Sequence, residues 1–156
     1  MSRMVVCALV LAWFLPGLVF KDGAAADALR KFDEFGDVNC EVEYARLDNL
    51  AVQLQQEPNM KAVIVFFGGR RFRGKLPRRG DAAARAARIK PYLVQRRGIP
   101  AERVAVIDGG YTEAWHVEVW IIPLAVSSSA LTPVTPIKDV RFRKGKPKPH
   151  EFECGI

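Results

Sequence analysis

The chain has 156 residues and a formal net charge of +7 at pH 7, with 49% hydrophobic and 26% charged residues. That length provides for one domain with a single core. Residues 70 to 97 hold eleven basic side chains against Asp81 alone, so the positive charge is a local patch and a uniformly cationic chain is excluded.

At the start, Arg3 precedes the uncharged run Met4 to Phe20, which Pro16 and Gly17 interrupt, and the small residues Gly23, Ala24, Ala25 and Ala26 follow. This is the layout of a secretory signal peptide over residues 1–26, with cleavage before Asp27. The alternative is an uncleaved membrane anchor, for which the run is barely long enough. Cys7 lies too close to the start for a lipoprotein cysteine. The chain is therefore expected to be exported, to the periplasm or cell envelope.

Phe32 to Val38 is a short, weakly patterned strand in expectation. From Glu41 to Gln56 the apolar positions Tyr44, Leu47, Ala51 and Leu54 recur at helical spacing until Pro58 and Asn59 stop the run. Lys61 to Phe67 is apolar without alternation, which suits a central strand covered on both faces, and the helix between the strands predicts a right-handed crossover. Asp81 opens a second helix whose stripe is Ala82, Ala86, Ile89 and Leu93, and Pro91 inside it predicts a kink or an early end.

Val104 to Ile107 is the next expected strand, Gly109 and Gly110 the connection, and Trp115, Val117, Val119 and Ile121 alternate along a last strand. The other face of that strand, with His116, Glu118, Trp120 and Ile122, is half apolar and expected to be partly covered. This order predicts an α/β (α+β) two-layer sandwich, β-α-β-α-β-β with a mixed sheet, over residues 27–122. A Pro/Ser/Thr linker over 123–136 and a basic C-terminal tail over 137–156 follow, with a possible edge strand from Ile137 to Arg143 and a solvated, extended stretch from Lys144 to Pro149.

Beyond residue 26 the cysteines are Cys40 and Cys154. In an oxidising exterior compartment an isolated pair is expected to form a disulfide, closing a long loop and stabilising the fold by roughly 4 kcal/mol. The alternative is two free or intermolecular thiols. Neither cysteine has a partner at metal-ligand spacing, so neither a metal nor another cofactor is expected.

The second helix carries Arg85, Ala86, Ile89, Tyr92, Leu93, Gly98 and Ile99. These positions resemble the pattern L-S-x-x-R-A-x-x-V-x-x-Y-L-x-x-x-G-I of the OmpA-like peptidoglycan-associated domain, with one extra residue before the glycine. The resemblance covers roughly residues 32 to 122. In that family a G-H-T-D loop after the second strand supplies an aspartate that, with the helix arginine, holds the diaminopimelate of the cell-wall peptide. The resemblance makes Arg85 that arginine and the loop from Gly68 to Gly74 the facing wall.

This loop departs from the family. It begins Gly68, Gly69, Arg70, Arg71, so the aspartate is missing, as are the leucine, serine and asparagine ahead of the helix arginine. Arginine in place of the acid repels an ammonium and favours carboxylate, phosphate or sulfate through forked donors. Asp81 is the candidate substitute acid. The expected ligand-binding set is Arg85, Gly68, Gly69, Arg70, Arg71, Arg73 and Arg88, with the loop arginines attracting the ligand at long range.

Gly69 to Lys75 also match G-x-x-x-x-G-K, but Leu76 replaces the magnesium-binding hydroxyl and Pro77 delays the helix, which argues against nucleotide hydrolysis. Phe72 and Tyr92 among the basic residues could stack on the bases of a nucleic acid, a partner that export argues against. His116 and His150 stand near no nucleophilic or metal motif. Asp33, Glu34, Asp37, Glu41 and Glu43 cluster at the first strand and helix start, where acids suit the helix dipole or could face the basic patch of a neighbouring molecule. Trp115 and Trp120 fall on opposite strand faces. The expectation is a non-enzymatic domain contacting peptidoglycan or another anionic envelope ligand; the alternative is a protein-interaction or polyanion-binding module that docks an acidic partner.

Overall fold

The computed structural model describes residues 29–131, 140–148, 151, 152 and 154. The expected signal segment, residues 137–139 of the expected edge strand and His150 lie outside the described residues. Among the described residues no helix is long and apolar enough to cross a membrane.

The fold is mixed α/β. Strand β1 (Arg30–Phe35) leads into helix α1 (Cys40–Gln56), followed by β2 (Met60–Gly69), the short helices α2 (Asp81–Ala86) and α3 (Ile89–Pro91), β3 (Val104–Thr112) and β4 (His116–Pro123). The sheet order is β1-β4-β2-β3, with β2 and β3 parallel and β4 antiparallel to both β1 and β2. Thus β4 is inserted between the two strands that α1 connects.

Asn39 starts α1 because its side chain accepts from the Val42 amide at 2.9 Å, while Glu41 and Glu43 lie in the first turn. Leu47, Leu50, Ala51 and Leu54 are buried on the sheet, and Tyr44 is half-buried. The other end is closed by Arg103, whose guanidinium donates to the carbonyls of Leu54, Glu57 and Met60 at 2.7–2.8 Å. As its unbroken apolar run predicts, β2 is covered on both faces: Ala62, Ile64 and Phe66 join the helix-side core, and Val63, Val65 and Phe67 a second cluster with Ile122. Val126 and Leu131, in the expected linker, pack against that second cluster.

Two local readings are corrected, and the expected interruption of the second helix is found. Gly109 and Gly110 do not connect strands but lie inside β3, as a bulge where two residues oppose Phe67. A Cβ on Gly109 would meet the Phe67 ring at 2.5 Å, and Gly110 has φ 87°. As expected from Pro91, the second helix breaks, at Ala87 and Arg88: Pro91 has no amide to donate to the Ala87 carbonyl and stands in the first turn of the resumed segment. Tyr92–Arg96 then form a π-helical turn, with Arg97 donating to the Tyr92 carbonyl at 3.2 Å. Finally, Val140–Arg143 form no strand: the Arg143 amide and Nε donate to the Pro77 and Leu76 carbonyls, both at 3.0 Å.

Candidate functional site

The strands β1, β2 and β3 end, and β4 begins, at one edge of the sheet. Arg85 of α2 reaches this edge and is only 4% exposed. Its guanidinium lies over the rings of Trp115 and Phe72, at 4.8 and 5.2 Å from their centroids. Its Nη2 pairs with Asp37 Oδ1 at 2.6 Å. Burial pushes the Arg85 guanidinium below its ordinary value, against the opposing pull of Asp37.

The acid beside Arg85 is therefore Asp37, from the β1–α1 turn, and not Asp81. Asp81 is buried too, but its carboxylate accepts from the Arg78 amide at 2.7 Å and pairs with the Arg78 side chain at 2.9 Å. Asp37 also accepts from Arg73 Nε at 3.1 Å. Burial alone would raise the Asp37 carboxyl, but the Arg73 hydrogen bond and the Arg85 charge outweigh it and hold it below its usual value of 3.8. A depressed carboxyl stabilises the fold above its unfolded pKa and loses that contribution as pH falls through the folded value. Asp37→Asn should accordingly flatten the fall in stability below about pH 4, measured by urea unfolding against pH; parallel curves for parent and variant would remove Asp37 from this role.

Gly68 and Gly69 let the loop pass close to its neighbours. A Cβ on Gly68 would meet the Tyr111 ring at 2.4 Å, and one on Gly69 the Trp115 amide nitrogen at 2.6 Å. From Phe72 to Lys75 the chain turns as a tight hairpin, closed by paired amide–carbonyl bonds of 2.8 and 3.0 Å, with Arg73 and Gly74 at positive φ. No helix follows Lys75 directly, since α2 starts at Asp81, so the nucleotide-loop pattern lacks its helix. Arg70 and Arg71 stay exposed. Arg88 is engaged elsewhere: Nε and Nη2 pair with Glu43 at 2.7 and 2.5 Å, and Nη1 donates to the Phe152 carbonyl. In this conformation it faces Glu43 and the tail instead of the Arg85 site.

The tail is the wall that the sequence did not announce. Cys154 is bonded to Cys40, with the Cα atoms 5.7 Å apart, and this brings Phe152 edge-on to Phe72 at 6.0 Å. Glu151 pairs with Arg78 at 2.5 Å. Gly68, Phe72, Asp81, Arg85, Trp115 and Phe152 line a pocket of about 20 Å³, room for a water molecule or two. Two buried donors of this lining, Arg85 Nη1 and Trp115 Nε1, have no acceptor among the described residues.

The acidic cluster of the first strand and helix meets this chain's own cations: Asp33 pairs with Arg46, Glu34 with Lys31, Asp37 with Arg73 and Arg85, and Glu43 with Arg88. Glu34, His116 and Glu118 bring potential metal-ligand atoms within 4.8 Å of one another. Lys31 already sits between the two carboxylates, at 2.8 and 2.7 Å. The rings of Phe72 and Tyr92 are not free to stack on bases, because Phe72 packs on Arg85 and Phe152, and Tyr92 is buried against Tyr44 at 4.2 Å. No protein-family model matches this chain, and no curated protein does.

Proposed function

We propose that this chain is an exported, non-enzymatic binding domain of the cell envelope, with OmpA-like architecture, that contacts peptidoglycan noncovalently at the Arg85 pocket. The observation that carries this reading is the pair of buried donors without acceptors, Arg85 Nη1 and Trp115 Nε1, beside the carboxylate of Asp37. Buried polar groups are ordinarily satisfied, so two orphans in one pocket call for an acceptor such as a ligand carboxylate. Asp37 would take an ammonium on the same ligand in exchange for Arg73, whose side chain is exposed. Both groups of a wall-peptide amino acid are then complemented, although the family's loop aspartate is replaced by arginine. Export is supported by the Cys40–Cys154 disulfide, which an oxidising compartment maintains.

The pocket, of about 20 Å³, admits only the tip of such a ligand. Arg85→Lys keeps the charge but loses the fork, and should weaken cosedimentation with purified sacculi by about 10- to 100-fold at high salt. Its melting temperature serves as the control for folding. Pelleting that high salt abolishes, and that Arg85→Lys leaves unchanged, would sink the proposal.

A further inference from the structure

Two basic runs distant in sequence lie side by side on this molecule. One is the loop with Arg71, Lys75 and Arg79; the other is the tail with Arg141, Lys144, Lys146 and Lys148. Three close approaches join them, all through residues 76–80 of the first run. Arg143 donates from its amide and Nε to Pro77 and Leu76, Arg79 lies over the Phe142 ring at 4.7 Å, and a Cβ on Gly80 would fall 3.7 Å from Pro147. The disulfide and the Arg78–Glu151 pair anchor the far end of the tail.

Several other arginines of the basic segment face carboxylates. Arg73 and Arg85 face Asp37, Arg88 faces Glu43, Arg97 faces Asp48 and Arg78 faces Asp81 and Glu151. By contrast Lys75, Arg79, Arg141, Lys144, Lys146 and Lys148 have no carboxylate within ion-pair distance among the described residues, and all are exposed. Unpaired charge is thus concentrated on the loop and the tail, with Lys90 and Arg96 of the helical segment as the other unpaired cations of the basic segment among the described residues.

We propose that the loop and the tail together form a binding surface for a linear, phosphate-bearing polymer, beside the Arg85 pocket. Lys144, Lys146 and Lys148 recur at every second residue, at most about 7 Å apart along the chain, a spacing that suits regularly repeated anions. The exposed large hydrophobic side chains, Val42, Val52 and Leu124, lie on α1 and after β4 and belong to neither run. The surface therefore has charge without an apolar wedge, which favours a polymer in solution over insertion into a bilayer.

The test is binding of the full chain to sodium polyphosphate over a range of salt, beside vesicles containing phosphatidylglycerol. K144Q/K146Q/K148Q and R71Q/K75Q alter exposed side chains and should leave the melting temperature unchanged. Each should weaken polyphosphate binding by about tenfold or more at low salt, and the tail variant should lower the log–log salt slope by roughly two. The pocket variant Arg85→Lys should bind polyphosphate as the parent does, so this surface and the wall-binding reading can fail independently. Loss confined to the loop variant would overturn the composite surface. An absence of polyphosphate binding, or tighter binding to the vesicles, would overturn the polymer as its partner.

Discussion

Reducing the Cys40–Cys154 bond should destabilise the fold by about 4–5 kcal/mol and lower the melting temperature by roughly 10–20 °C. The bond closes a loop with a sequence separation of 114, and such a closure removes much of the freedom of the unfolded chain. Its loss acts on the native state as well, because Phe152 lines the pocket and its carbonyl accepts from Arg88. Thermal melts with and without reductant, repeated on Cys40→Ser/Cys154→Ser, measure the first effect. Hydrogen exchange at the Arg143 amide, bonded to the Pro77 carbonyl, reports the second. An unchanged melt in reductant would show that the bond contributes nothing to stability.

Glu43→Ala should cost about 3–5 kcal/mol, because it leaves the Arg88 guanidinium largely buried without its counter-charge. Glu43 is 1% exposed, and its carboxylate meets Arg88 through two bonds of 2.7 and 2.5 Å. This pair joins α1 to the chain just after α2, and through Arg88 to the tail. Replacing both partners by apolar residues, as in Glu43→Leu/Arg88→Met, should cost much less, since no orphaned charge remains. A double-mutant cycle followed by urea unfolding separates the pair from its members. If Glu43→Ala alone changes stability by less than about 1 kcal/mol, the comparison with a buried ion pair fails.

Elements whose periodicity and end signals agree were legible in the sequence. The stop at Pro58 and Asn59, the doubly covered β2 and the two faces of β4 all follow from residue type along a few turns or pleats. Less legible was whatever depends on a neighbour elsewhere in the chain. Gly109 and Gly110 carry the composition of a turn, yet β3 runs through them, because the Phe67 ring occupies the space of a Cβ and the parallel pairing with β2 resumes beyond. Arg103 gave no sequence signal for closing α1, since the three carbonyls it meets lie 43–49 residues earlier.

The candidate site divides in the same way. Arg85 and the glycine–arginine loop stand out as a run of residues, and Cys40 with Cys154 as an isolated pair. The acid for Arg85, the wall built by Phe152 and the adjoining of loop and tail do not, because each unites segments tens of residues apart. By itself the sequence determined the order of elements, the core stripes and the amount of charge in the basic segment, which are properties of residue type and short-range spacing. Only the tertiary structure decided which of those charges are neutralised: electrostatic attraction depends on distance in space, and Asp37, Glu43 and Asp48 come within ion-pair range of Arg85, Arg88 and Arg97 only once α1 and the second helical segment lie together on the sheet.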